Sequence, residues 1–209
     1  NMETILTYFP ELTPRQTEQL EQLAELVRSW NDKINLISRQ DTDRLEVHHI
    51  LHSLVIARWV SFVPDTRILD LGTGGGFPGL PLAIVFPECR FHLIDARGKK
   101  IKAVQDMITR LELGNVTAEH IRVEDLQERF DFVVTRAVAP LDQLIRWTRN
   151  RLAGQDRNAL PNGIIALKGG RLNHELEAAR KMCYIEVHPV QKIMDHPYFE
   201  EKMVVYVQC

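Results

Sequence analysis

Arg67-Ile68-Leu69-Asp70-Leu71-Gly72-Thr73-Gly74-Gly75-Gly76-Phe77-Pro78-Gly79 is the stretch that decides the fold. An apolar, β-prone run carries an acid near its end, glycines follow at alternate positions, and a helix-compatible segment begins at Pro78. Strand, tight turn and helix is the arrangement in which doubly wound sheets hold nucleotides, outside the carboxyl ends of their strands. Glycine suits such a turn because the backbone must bend sharply and let a ligand approach closely. Gly74-x-Gly76-x-x-Gly79 also fits the dinucleotide fingerprint. That match starts late, because the first glycine after the strand is Gly72 and the sixth position counted from it is Phe77.

Charge separates the two candidate ligands. Asp70 would stand beside a bound pyrophosphate and oppose it. S-adenosylmethionine has no phosphate, and its methionine end carries an ammonium that a carboxylate stabilises, directly or through water. The strand-end acid followed by Gly72, Gly74 and Gly76 therefore predicts S-adenosylmethionine as cofactor, with S-adenosylhomocysteine as product.

Three further segments extend the site. Asp95 closes Phe91–Asp95, 25 positions after Asp70, where an acid at the second strand's end accepts from ribose hydroxyls. It can also cap the basic helix that follows, and the two roles are compatible. Val123-Glu124-Asp125 lies after the third strand, where an adenine ring would rest between an apolar side chain and polar acceptors. Thr135-Arg136-Ala137-Val138-Ala139-Pro140 ends the fourth strand, where the methyl acceptor should arrive; Arg136 is the expected catalytic group, acting by positioning. The Asn/Asp-Pro-Pro-aromatic run that accompanies exocyclic amine methylation is missing, and no cysteine nucleophile lies near an active-side strand end. The acceptor is then an atom with an available lone pair, and no general base is expected.

Around this centre the strand candidates are Arg67–Leu71, Phe91–Asp95, Val116–Ile121, Phe130–Thr135, Gly163–Lys168, Tyr184–Val190 and Lys202–Val207. Helical patterns over Pro78–Phe86, Lys99–Leu113, Leu141–Leu152 and Asn173–Met182 alternate with them. The reading is an α/β, Rossmann-like class I methyltransferase fold with a seven-stranded, mostly parallel sheet. Upstream, Thr13-Pro14-Arg15-Gln16 is a capping box with proline at the first helical position. Leu20, Leu23, Ala24, Val27 and Trp30 recur at helical spacing, and a second amphipathic stretch carries Leu45, Ile50, Leu51, Leu54 and Val55. The expected division is an N-terminal helical cap over 1–64 and the methyltransferase core over 65–209, in one compact unit.

The chain has 209 residues, 44% hydrophobic and 26% charged, which is a globular rather than a disordered composition. No apolar run approaches a membrane span and the signal-peptide pattern is absent, so a cytoplasmic protein without membrane contact is expected. A net charge of −2 does not advertise nucleic-acid binding, and any RNA contact must come from a local basic surface. Two such groups stand out: Arg97, Lys99, Lys100 and Lys102 after the second strand, and Arg146, Arg149, Arg151 and Arg157 after the fourth. The cysteines Cys89, Cys183 and Cys209 are too few and scattered for a disulfide scaffold or zinc site, and no metal is expected.

Several segments resemble the RsmG/GidB family, bacterial methyltransferases acting on ring position seven of a guanine in 16S ribosomal RNA. Trp30-Asn31-x-Lys33-x-Asn35-Leu36-x-Ser38 and His49-Ile50-Leu51-x-Ser53-Leu54 are similar to its N-terminal signatures. Gly72-x-Gly74-x-Gly76-Phe77-Pro78-Gly79, Thr135-Arg136-Ala137-x-Ala139 and Leu167-Lys168-Gly169 complete the resemblance, which covers nearly the whole chain. It implies cofactor contacts at Gly72, Phe77, Val123, Glu124 and Arg136. It also implies acceptor-side roles for Asn35, His49, Ser53, Arg97, Lys99, Lys100, Arg136 and Lys168, a partner in the small ribosomal subunit, and a monomer. His52 departs from the family's usual aspartate. Taken alone, Trp30 reads as core, and His49 and His52 as surface or helix-capping residues. A nicotinamide-dependent oxidoreductase and a non-catalytic cofactor- and RNA-binding module are the competing readings. The first would need proton-donor machinery that 209 residues do not show; the second sits poorly with a complete loop and Arg136.

Overall fold

The computed structural model describes every residue except Ala137, so that part of the Thr135–Pro140 segment lies outside the described residues. Helix α1 (Met2–Tyr8) precedes α2 (Pro14–Asn31), whose Thr13 and Gln16 form the anticipated capping box. The second amphipathic stretch is not one regular helix. A 3₁₀ turn (Arg39–Arg44) leads into a π-helix (Glu46–Leu51), which runs on into α3 (His52–Trp59). The core follows as β1 (Arg67–Leu71), α4 (Gly79–Val85), β2 (Arg90–Asp95), α5 (Gly98–Arg110), β3 (Val116–His120) and β4 (Phe132–Arg136). It continues through α6 (Leu141–Thr148), β5 (Gly163–Gly169), α7 (Asn173–Arg180), β6 (Tyr184–Pro189), the short α8 (Val190–Ile193) and β7 (Lys202–Gln208).

The seven strands form one sheet in the order β3-β2-β1-β4-β5-β7-β6. β1 to β5 pair in parallel, while β7 runs antiparallel to β5 and β6. β1 and β4 are therefore central neighbours, and the segments that follow them open at the same carboxyl edge. Alternation along β1 assigns side chains to the two faces. Ile68 joins a core with Phe91, Phe132 and Tyr206, and Leu69 one with Val133, Leu144 and Ile145.

The first of these cores also takes in Ile5, Leu20, Leu23, Val27, Leu51 and Leu54, so the N-terminal helices share the sheet's interior. Polar ties reinforce the join. Trp30 Nε1 donates to Asp106 Oδ2 at 2.8 Å, and Gln19 Nε2 to the Leu111 carbonyl at 3.1 Å. Trp30 thus fastens α2 to α5.

Helix α1 and the π-helix were not anticipated. Nor was the pairing of Cys183 with Cys209, which join as a disulfide. The two cysteines are far apart in sequence, but β6 and β7 pair from Tyr184↔Gln208, which puts the flanking residues side by side. The bond closes one pair of strand ends and is not a scaffold. No helix among the described residues is long and apolar enough to cross a membrane.

Candidate functional site

Gly72, Gly74 and Gly76 after β1 have positive φ (70°, 56° and 99°), which side chains with a Cβ rarely adopt, yet they serve different ends. A Cβ on Gly72 would lie 2.5 Å from Val138 Cγ2, and one on Gly76 would lie 2.4 Å from Leu80 Cδ1. Those two glycines allow close packing. A Cβ on Gly74 meets nothing within 4 Å, because Gly74 faces a cleft of about 590 Å³ at the carboxyl ends of β1, β2 and β4.

Gly72, Asp95, Val123, Glu124 and Arg136 also face this cleft. Gly76 and Phe77 are not among its lining residues; Phe77 is buried beneath Arg136, whose guanidinium carbon lies 5.7 Å from the ring centroid. Asp70 is also buried below the cleft wall. Its Oδ2 accepts from Thr73 Oγ1 at 2.7 Å and from the Gly79 amide at 2.8 Å, so it ties the start and end of the loop together. Burial raises its carboxyl pKa to about 7 against those two hydrogen bonds, and its Oδ1 has no partner. Asp95 accepts from the Gly74 amide and the Arg97 amide, both at 2.9 Å, and so orders the loop and the turn that enters α5 while remaining in the cleft; it does not cap the helix, whose N-cap is Arg97.

The residues fit S-adenosylmethionine. The cleft has ligand size. Ile94, Ile121, Val123 and Trp147 give it apolar walls, Asp95 and Glu124 provide acceptors, and the buried Oδ1 of Asp70 lies beneath without a partner. Trp147 was missed from the sequence, since its spacing on α6 reads as plain core.

Beside the cleft a polar cluster links cap and core. Arg136 Nη2 donates to His49 Nδ1 at 2.6 Å and Nη1 to the His48 carbonyl at 3.2 Å. Burial lowers the Arg136 pKa, as expected for a desolvated cation. His49 and His52 are buried, contrary to the surface reading. Burial first, and Arg136 second, lower the His49 pKa to about 3, and the same causes push His52 well below its usual value. Both rings are neutral at physiological pH. The Ser53 hydroxyl is fully buried and donates to the His49 carbonyl at 2.6 Å, which fixes the turn rather than facing solvent.

The basic residues divide sharply. Arg97 and Lys100 line the cleft, Lys99 and Lys102 are exposed on the same helix, and Lys100 also borders a neighbouring groove with Asn35 and Arg39. In the second group Arg146 pairs with Asp142 at 3.0 Å, Arg157 lies 3.7 Å from Asp131, and Arg151 holds the Leu126 carbonyl at 2.8 Å. Lys168 is buried between the Ala139 carbonyl at 2.5 Å and Glu175 at 3.0 Å, where it braces the segment after β4.

A family model described as GidB, rRNA small subunit methyltransferase G, matches residues 16–199. A protein of Bacteroides thetaiotaomicron called ribosomal RNA small subunit methyltransferase G is 48% identical over 207 residues, covering 99% of this chain and 100% of its own. One of the same name from Parabacteroides distasonis is 49% identical over 208 residues, covering 98% of this chain and 88% of its own. Among solved structures, phosphoethanolamine N-methyltransferase 1 of Haemonchus contortus, in complex with phosphoethanolamine and S-adenosylhomocysteine, aligns with a TM-score of 0.59 at 13% identity. That alignment covers 90% of this chain and 49% of the other, and the likeness is one of fold.

Proposed function

The chain belongs to the GidB family of rRNA small subunit methyltransferases G, and we propose that the atom it methylates is ring nitrogen seven of a guanine in 16S ribosomal RNA. It is an S-adenosylmethionine-dependent methyltransferase of small-subunit ribosomal RNA on a class I fold. The finer reading also takes the assembled small subunit as the substrate particle and the bacterial cytoplasm as the place of action, with the chain working as a monomer.

One observation carries the choice of atom: His49, buried beside the cleft, is already engaged by Arg136, and burial holds its pKa far below the usual range. Ring nitrogen seven has an in-plane lone pair at neutral pH and loses no proton on methylation, so its attack needs no base. Bound S-adenosylmethionine supplies an electrophilic methyl group on a positively charged sulfur. Asp95 would accept from the ribose hydroxyls, Val123 and Trp147 would offer the adenine an apolar seat, and the open backbone at Gly74 would leave the cofactor room. Arg136 faces the guanine edge, where O-6 and nitrogen seven are the usual partners of arginine. Arg97, Lys99 and Lys100 hold phosphates beside the cleft. Placement of this kind lowers a barrier by removing the entropy of encounter.

Labelled S-adenosylmethionine offered to small subunits, free 16S RNA and mixed protein tests the reading. Label should enter the subunit as 7-methylguanosine. In single turnovers at saturating cofactor the chemical step should be flat from about pH 6.5 to 8.5. Label in protein, or a bell-shaped profile abolished by replacing His49 or His52, overturns it.

A further inference from the structure

We propose that Asp41, on the 3₁₀ turn before the π-helix, is a positioning residue for methyl transfer: acting through His48 and His49, it fixes the side chain of Arg136. This rests on the reading of Arg136 as the group that orients the acceptor base.

A guanidinium only donates, so the His49 Nδ1 that takes the Arg136 bond at 2.6 Å carries no hydrogen. The ring's single hydrogen is then on Nε2, which faces Asp41 Oδ2 at 3.5 Å. That distance is long for a hydrogen bond, but a carboxylate on that side favours the N–H there and disfavours a bare nitrogen. The other oxygen, Oδ1, meets His48 Nδ1 at 2.7 Å. One carboxylate therefore biases both rings. Without it His49 is free to carry its hydrogen on Nδ1, where it would confront the Arg136 N–H donor to donor.

Two more features hold the same assembly. The Tyr198 ring stacks on His48 with centroids 3.8 Å apart and planes 12° apart, so the segment between β6 and β7 closes its outer side. The π-helix widens the turn at the point where the His48 carbonyl receives the second Arg136 bond, and the Ser53 hydroxyl satisfies the His49 carbonyl beside it. Single π-turns inside helices recur at functional sites because they present groups a regular helix would occupy. Asp41 does not line the cofactor cleft. Its link to Arg136 runs through the His49 ring and through His48, whose ring it holds and whose carbonyl takes the second Arg136 bond, and the cap thereby sets the geometry of a residue on the central sheet.

The test is a double-mutant cycle with Asp41→Ala and Arg136→Ala, reading kcat on small subunits and cofactor affinity by calorimetry on the free protein. Arg136→Ala should lose about a hundredfold in kcat and Asp41→Ala about tenfold, each leaving cofactor affinity within about threefold. In the Arg136→Ala background, Asp41→Ala should cost no more than about twofold, since the side chain it steers is gone. A general loosening of the fold would instead cost the same factor in both backgrounds and would overturn the proposal, as would an unchanged kcat in Asp41→Ala beside an impaired Arg136→Ala. If Arg136→Ala turns over normally, the reading of Arg136 itself fails, and the brace with it. Should Asp41→Ala not fold, Asp41→Asn keeps the shape but leaves an acceptor for only one ring, and should give a smaller loss with the same non-additivity.

Discussion

The two ends of the sheet each hold a cavity, and the larger one is at the end opposite the glycine loop. It measures about 890 Å³ against about 590 Å³, and Arg67, Arg90, Arg157, His92 and Phe130 help to line it. Its charged groups answer one another: Arg67 meets Glu128 at 3.2 Å, Arg90 lies 4.0 Å from Asp65, and His92 is held by Thr117 at 2.6 Å and Glu119 at 2.9 Å. The glycine-loop end differs. Four buried side-chain polar atoms among the described residues lack a hydrogen-bond partner, and three belong to His49, His52 and Asp70, whose ionisation Arg136 influences. Volume shows where there is room. Polar groups left unpaired inside a protein are costly and call for an explanation, and here three of the four gather at the end where we propose that the chemistry is done.

The sharpest way to break this comparison is one substitution at each end. Gly74→Val puts bulk into the smaller cleft at a position with φ of 56°. Cofactor binding should fall below detection in calorimetry, with a cooperative melting transition retained. Arg90→Ala removes an exposed arm of a weak pair and should leave binding and turnover within about twofold, since such pairs contribute about 0–1 kcal/mol. The reverse ranking would place the ligand at the other end.

A smaller effect separates the basic surfaces. Lys99 and Lys100 stand beside the cleft, whereas Arg146 and Arg157 face their own acids. If the first group grips phosphates, the joint change of Lys99 and Lys100 to alanine should flatten the log–log salt dependence of subunit binding by about 1–2 units. Arg146→Ala with Arg157→Ala should leave the slope as it was. Equal slopes in all three proteins would remove α5 from the RNA path.

The two halves of the site differ in how far the sequence discloses them. Asp70, the alternating glycines and Asp95 lie on regular strand–turn–helix units, so their spacing carries the geometry, and the order of apolar runs carries the sheet. The cap half is not written locally. A π-turn differs from an α-helix by one residue of hydrogen-bond register, and Leu45, Ile50, Leu51, Leu54 and Val55 keep an amphipathic pattern through it. Asp41, His48 and His49 gain their meaning from Arg136, which lies beyond three strands of the core in sequence and reaches them only when β4 is set beside β1. Tyr198 and the Cys183–Cys209 pair depend in the same way on the antiparallel return of β7. Family resemblance pointed to His49 and Ser53, but Ser53 turned inward to the backbone.

The smallest effect concerns Asp70 alone. In the unfolded chain its carboxyl ionises near the ordinary value of about 3.9, while burial holds it at about 7 in the fold. Between those two values the folded state keeps a proton that the unfolded state has released, so the Asp70 contribution to stability falls as pH rises from about 4 to 7 and levels off above. Asp41 and Glu46, whose pKa values are lowered, act in the opposite sense at lower pH, and the buried His49 and His52 act in the opposite sense up to about pH 6.5. The clean reading is therefore a difference between two proteins. Asp70→Asn can keep the bonds from Thr73 and Gly79 on its oxygen and place its NH₂ where Oδ1 now lacks a partner. Relative to that variant, the wild-type melting temperature should drop between pH 5 and 8, by roughly 2–4 °C for each kcal/mol in a chain of this size. Saturating S-adenosylmethionine should shrink the difference, because an ammonium held near Asp70 favours the ionised carboxylate. Parallel curves without cofactor would mean that Asp70 is ionised throughout. Its negative charge would then stand at every pH tested, which removes Asp70 from the pH dependence of stability and leaves the charge argument for S-adenosylmethionine over a pyrophosphate ligand intact.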